Sequence, residues 1–302
     1  MADARPMHER DFDMSDADFA RIRTLIHQRA GIALSPIKRD MVYSRLARRL
    51  RALGMVSFRD YLDQLENGPA GRSGEWEEFT NALTTNLTSF FREPHHFPVL
   101  ADHLRAIGKQ RPITIWCCAA STGEEPYTIA MTAVEALGGF DIPVHILGSD
   151  IDTRVLETAR AGVYNFERVE KLSPERLKRF FLRGSGANAD KVKVRDELKK
   201  LVQFRPINLL ESGWPLRGPF DVIFCRNVMI YFDKPTQLAV LERFAPLLRS
   251  DGLLFCGHSE SLHHAAHLFR LRGKTVYTRA QATGAANVAS ATVPVAAAGG
   301  AR

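Results

Sequence analysis

The 302 residues include 41 Lys and Arg against 34 Asp and Glu, a formal charge of +7, and 45% hydrophobic residues. This composition excludes a disordered or fibrous chain, and the length leaves room for two domains with real cores. No apolar run reaches the roughly 18 residues of a membrane span, and Met-Ala-Asp-Ala-Arg-Pro lacks a leader's apolar core, so a cytoplasmic protein without membrane insertion is expected.

Residues 1–14 precede the first periodic segment and are expected to be flexible. Ser15 ahead of Asp16 and Asp18 is an N-cap with acids in the first turn, and Phe19, Ile22, Leu25 and Ile26 form one apolar stripe ending before Gly31. A second helix from about Pro36 carries Val42, Leu46, Leu50 and Leu53 on one face and stops at Gly54. Lys38, Arg45, Arg48 and Arg49 fall on or beside the opposite stripe, either a solvated face or a surface for an acidic partner. Further helices near Phe58–Leu65 and from Glu75 complete an expected all-α domain over residues 15–100.

Over residues 101–280 the pattern changes. Ile113–Cys118, Val144–Leu147, Leu201–Phe204, Val222–Cys225 and Leu253–Cys256 are short apolar runs of buried-strand type, most with helical segments between, which predicts a doubly wound parallel sheet. Phe269–Leu271 and Thr275–Thr278 form a closing antiparallel hairpin. The interval from about 163 to 200 is too long for a plain crossover and predicts a small inserted subdomain. Residues 281–302 are Ala, Gly, Val, Thr and Ser without periodicity, an expected disordered tail.

The four cysteines lie in strand-like runs and are expected to be core; with no Cys-x-x-Cys pair, no metal site is expected. His263 and His267 have i,i+4 spacing but no evident third ligand.

Polar groups interrupt the apolar pattern at Asn81-Ala-Leu-Thr-Thr-Asn-Leu-Thr-Ser-Phe-Phe-Arg-Glu93, where Asn86, Thr88 and Arg92 sit beside two phenylalanines in the manner of a site for an anionic or zwitterionic small molecule. Ala119–Tyr127 follows the first strand with one glycine, which disfavours a pyrophosphate cofactor; Glu125 suits a ligand carrying ammonium and sulfonium charge, or simply starts the next helix. Asp150 closes the second strand, where Rossmann-type sites place an acid on ribose hydroxyls, while Asp152 is a helix cap. Asn208 can hydrogen-bond an adenine edge and Leu209 can cover its face. Cys225-Arg-Asn-Val-Met-Ile-Tyr-Phe-Asp233 ends the fourth strand.

In order, these segments resemble the CheR family, the chemotaxis receptor methyltransferases, from Ser15 to Arg279. The resemblance implies a Rossmann-like class I methyltransferase sheet with an inserted β-subdomain behind an all-α N-terminal domain. It further implies protein-glutamate O-methylation with S-adenosylmethionine, cofactor contacts at Asn86, Thr88, Arg92, Glu125, Asp150, Asn208, Leu209, Arg226 and Asn227, and the chemoreceptor cytoplasmic helix bundle as partner. It turns the Lys38, Arg45, Arg48 and Arg49 face into an expected docking surface for a monomeric enzyme. Arg92 and Tyr231 are the candidates for orienting the incoming carboxylate. A nucleic-acid partner is not expected, because the chain has no Asn/Asp-Pro-Pro-Tyr and no Pro-Cys motif.

Overall fold

The computed structural model describes residues 11–69 and 74–280; the expected disordered tail and residues 1–10 lie outside the described residues. Helix α1 (Asp16–Ala30) opens on a capping box in which Ser15 and Asp18 satisfy each other's backbone N–H, and it closes on Gly31 at φ +70°. Helices α2 (Arg39–Leu53), α3 (Phe58–Asn67) and α4 (Glu75–Leu83) pack against it through Leu46, Leu50, Phe58, Leu62 and Phe79, all buried. Leu53, expected on the inward face, is 42% exposed because it falls in the last turn, where α2 has run past its partners. Met14 is buried in the same cluster and Arg51 pairs with Asp11, so residues 11–14 pack onto the helices rather than extending the flexible stretch to 14.

The helical core ends at Leu83, whereas Phe90, Phe97, Leu100 and Leu104 pack in the core of the sheet. The last three lie on helix α5 (His96–Ile107), which runs across residue 100. The division of hydrophobic cores therefore falls between residues 83 and 90, earlier than expected.

Strands β1 (Ile113–Cys117), β2 (Val144–Asp150), β6 (Val202–Pro206), β7 (Phe220–Cys225) and β8 (Leu248–Cys256) form the parallel part of a seven-stranded sheet of order β6-β2-β1-β7-β8-β10-β9. The hairpin of β9 (Phe269–Gly273) and β10 (Val276–Arg279) closes it, with β10 antiparallel to both neighbours. Side-chain alternation sends Ile115, Cys117, Val222, Phe224 and Phe255 into one core and Trp116, Ile223, Cys225, Leu254 and Cys256 into the other. Helix α6 (Glu124–Leu137) follows β1, helix α7 (Thr153–Ala161) follows β2, and helix α10 (Lys234–Leu247) precedes β8. All four cysteines are buried and free.

Between α7 and β6 lies the insertion, an antiparallel sheet of order β3-β5-β4 made by β3 (Val163–Asn165), β4 (Phe181–Arg183) and β5 (Lys191–Val194), with helix α8 (Pro174–Phe180) before β4 and the short helix α9 (Asp196–Lys199) after β5. Arg176 grips Glu135 of α6 through two 2.8 Å bonds, and Tyr164 donates to the Thr122 carbonyl at 2.7 Å, so the insertion is tied to the loop and helix after β1. Among the described residues no helix is long and apolar enough to cross a membrane.

Candidate active site

The helical domain docks at the C-terminal ends of the strands, where ligands of open α/β sheets bind. Ala33 N–H donates to the Tyr231 carbonyl at 2.8 Å, His27 and Asp233 meet at 2.9 Å, and the Asn208 amide donates to the Arg29 carbonyl at 2.8 Å. Gly31 makes this junction possible: besides its positive φ, a Cβ there would stand 2.6 Å from Leu210 and 3.1 Å from Phe232. Between the two domains a cleft of about 510 Å³ is lined by Asn86, Thr88, Arg92, Glu125, Asp150, Asn208, Leu209, Arg226, Asn227 and Tyr231, together with Lys38 and Arg45 of the α2 region. Every residue expected to contact cofactor or substrate carboxylate thus reaches one cavity, and its size is that of a small-molecule site.

The segment after α4 is held extended over the strand ends. Asp152 caps α7 with one oxygen, accepting from Arg154 and Val155 N–H, and with the other accepts Thr84 Oγ1 and Asn86 Nδ2, both at 2.7 Å. Ser121 Oγ donates to the Asn86 carbonyl at 2.9 Å. Arg92 donates to the Leu87 carbonyl at 2.7 Å, curling the segment on itself. Phe91, Glu93, Ser121 and Asn227 all have positive φ, the last two in the cleft lining and the first two beside Arg92, so backbone strain that the surrounding bonds must hold gathers at this cleft.

Arg226 organises the back wall. Its side chain is fully buried; it is hydrogen-bonded and ion-paired to Glu125, lies 3.4 Å from Glu93 Oε2 and donates to the Arg92 carbonyl at 2.6 Å. Burial works against its charge, but Glu125 and Glu93 more than offset that and raise its pKa. Burial likewise opposes ionisation of Glu93, yet hydrogen bonding by His258 and the charge of Arg226 bring its pKa down to about 2. Glu93, His95 and His96 bring a carboxylate and two imidazoles within 4.8 Å, a grouping the sequence did not suggest, and Arg226 already supplies a cation beside it.

Asp150 differs from these acids. Its two oxygens accept Ser121 N–H at 2.8 Å and Asp152 N–H at 3.0 Å, and burial, only partly opposed by those bonds, lifts its pKa to about 6.

Several individual roles change. Glu125 does not face the cleft as a bare acid; it is the counter-ion of Arg226. Asn208 reaches the cleft, but one amide N–H clamps Arg29 and its oxygen takes Leu210 N–H at 3.0 Å, so the group is largely committed to the junction. The basic face is split. Lys38 and Arg48 are exposed, whereas Arg49 pairs with Glu75 and Glu78 and Arg45 donates to the Ala82 and Thr84 carbonyls. Arg45, read from the sequence as a docking residue, is a wall of the cleft; only the α2 to α4 packing reveals this. Glu93, Ser121 and Glu260 were missed because each acts through partners distant in sequence.

The cavity fits a nucleoside with a zwitterionic tail. Asp150 is an anchored acceptor, Ile207 and Leu209 give apolar wall, and the buried Arg226 Nε has no protein partner. An open sheet with such a cleft at its strand ends defines a Rossmann-like protein that binds a nucleoside-sized ligand. The family described as CheR methyltransferase, SAM binding domain, matches residues 86–278, and the CheR methyltransferase all-alpha domain matches 17–84. The chain is 56% identical over 271 residues to chemotaxis protein methyltransferase 2 of Pseudomonas aeruginosa, covering 89% of this chain and 95% of that relative. It is 55% identical over 264 residues to the chemotaxis protein methyltransferase of Escherichia coli, covering 87% and 91%, and 56% identical over 266 residues to that of Klebsiella aerogenes, covering 87% and 90%. The chain belongs to the CheR methyltransferase family and is a methyltransferase whose cofactor is S-adenosylmethionine.

Replacing Arg226 by Ala leaves two buried carboxylates without their cation, so a loss of about 3 to 5 kcal/mol in unfolding free energy is expected by denaturant titration. A loss under about 1 kcal/mol would show that Glu125 and Glu93 find solvent or other partners.

Proposed function

We propose that the chain methylates glutamate side chains in the cytoplasmic helix bundles of chemoreceptors, forming γ-methyl esters in chemotactic adaptation. The observation that carries this reading is the grouping of Arg92, Arg45 and Tyr231 around the cleft that Asp150, Leu209 and Arg226 line. Bound S-adenosylmethionine supplies an electrophilic methyl. The ribose diol falls to Asp150, the adenine face to Leu209 with the remaining capacity of Asn208, and the amino-acid tail to the polar wall of Asn86, Thr88, Arg226 and Asn227.

A glutamate is ionised at neutral pH, so an incoming carboxylate needs orientation and desolvation rather than a base. Arg92 can grip it bidentately and Tyr231 can donate to the non-reacting oxygen. The neutral ester binds a guanidinium less well, which favours release. Covalent catalysis by cysteine finds no support, since burial raises the thiol pKa of Cys118, the cysteine that lines the cleft.

Incubation with methyl-labelled cofactor and purified receptor cytoplasmic fragments should give label that base releases as methanol. Base-stable label, or none on any receptor fragment, would defeat the reading.

Cofactor binding should follow the charge of Asp150. A diol donates to a carboxylate, so affinity for S-adenosylhomocysteine should be flat above pH 7 and fall by up to about tenfold for each pH unit below 6. Calorimetry across that range should show the fall, and Asp150→Asn should flatten it. The stability linkage has the opposite sense: with a native pKa of about 6 above an ordinary 3.8, the fold gains stability as pH drops through that window. Weaker binding at pH 5 thus cannot be ascribed to unfolding driven by this group.

For docking, Lys38 stands at the cleft and Arg48 is the exposed cation outside it. Changing Arg48, which lies outside the cleft lining, to Glu should lower kcat/KM for receptor by up to about threefold at low salt and flatten its salt dependence, with cofactor affinity unchanged. Unaltered kcat/KM would place docking elsewhere.

A further inference from the structure

The turn from Arg226 to Phe232 carries Arg226, Asn227 and Tyr231 to the cleft, and it is gripped from behind by two buried side chains outside the cleft lining. Gln237 on α10 donates its amide to the Met229 carbonyl at 2.8 Å and the Phe232 carbonyl at 3.0 Å, bracketing Tyr231. Glu260, 4% exposed, follows β8 and accepts with Oε2 the N–H of Gly257 at 2.5 Å and of Asn227 at 2.9 Å. Its other oxygen is buried too, and the backbone N–H groups of Met229 and Ile230 in the same turn add to those of Gly257 and Asn227 in favouring its charge.

A carboxylate placed in such a setting is costly unless backbone donors compensate it. Asn227 lies at φ +58°, a conformation that a non-glycine residue keeps only when its surroundings enforce it. The Asn227 N–H bonded to Glu260 belongs to that strained unit. The approach is close enough to forbid a side chain at the end of β8: a Cβ on Gly257 would lie 2.5 Å from Asn227 Nδ2 and 2.9 Å from Glu260 Oε2. On its other side the Asn227 amide reaches Glu93 at 3.3 Å, so the backbone bond to Glu260 and the side-chain bond to Glu93 fix the residue from opposite walls.

We propose that Glu260 is a positioning residue for methyl transfer, clamping the strained Asn227 backbone and through it the turn that presents Tyr231 to the reacting carboxylate. The inference rests on Tyr231 acting at that carboxylate. Glu260 lies outside the cleft lining; its effect passes through the backbone of the turn, chiefly the Asn227 N–H. The neighbouring Gln237 secures the Met229 and Phe232 carbonyls but contributes no charge, so loss of Glu260 frees the turn's N–H groups, that of Asn227 first, while its carbonyls stay held.

Glu260→Ala and Glu260→Gln, compared with the wild-type chain, separate this role from a general effect on folding. In Glu260→Ala, hydrogen exchange of the Asn227 amide should rise by at least about tenfold while β7 amides keep their protection. At saturating S-adenosylmethionine and receptor fragment, kcat should fall by about tenfold or more, with a smaller change in affinity for S-adenosylhomocysteine. Glu260→Gln keeps an acceptor oxygen and should recover kcat to within about threefold of wild type. A folded Glu260→Ala protein with wild-type exchange at Asn227 and wild-type kcat would overturn the proposal. So would faster exchange spread through β7 and β8, with kcat reduced only in proportion to the folded fraction. If the wild-type chain methylates no receptor fragment, the proposed substrate fails, while the exchange arm still reports on the clamp.

Discussion

A buried guanidinium needs its counter-charges on hand, and that requirement shapes this molecule around Arg226. The residue ends a strand buried along its whole length, in the centre of the sheet. Its partners come from two separate places: Glu125 in the first turn of α6, and the segment between the domains, which supplies Glu93 and the carbonyl of Arg92 beside it. Closing the sheet therefore also draws residues 92 and 93 onto the strand ends. An ion pair of this kind adds little net stability compared with an apolar filling, but it is intolerant of losing one member. What it confers is a fixed geometry, and the geometry it fixes is the wall of the cleft.

The helical domain completes the other wall through backbone as much as side chains. The Tyr231 carbonyl takes Ala33 N–H, and the Arg29 carbonyl takes the Asn208 amide, so the end of α1 is bonded to the loops after β6 and β7. Asp152 joins the same closure from below by capping α7 while holding Thr84 and Asn86. One carboxylate thus sets both the start of a helix and the course of the segment above it. The cleft is consequently a product of the domain junction.

Features governed by local periodicity were legible in the sequence. The strands, the capping of α1 at Ser15, the helix stop at Gly54 and the inserted segment all follow from spacing and turn chemistry, and the order of polar motifs at successive strand ends pointed to one site. Roles set by distant partners were not legible. Nothing near Asn208 shows that its amide will be spent on Arg29, nothing near Glu125 shows that a residue a hundred positions later neutralises it, and the α2 stripe alone cannot distinguish Arg48 in solvent from Arg49 against Glu75. The periodicity correctly found a polar face; the packing of α4 decided which of its cations remain available.

Strain and electrostatics meet in the same few residues. Phe91, Glu93, Ser121 and Asn227 each adopt a left-handed backbone, and each is tied by a hydrogen bond that a relaxed conformation would forfeit: Phe91 N–H to Thr128, Glu93 to His258, Ser121 N–H to Asp150, and Asn227 N–H to Glu260. Three of the four bonds are accepted by carboxylates, and two of these, Asp150 and Glu260, are buried, where a charged hydrogen bond is stronger than in water. Such acids impose a cost on the fold, visible in the raised pKa of Asp150 and Glu260, and that cost is borne where walls must not move. Methyl transfer of any kind depends on holding acceptor and methyl in line, so rigidity of this turn and segment, which carry the walls of the cleft, is where the fold serves the reaction.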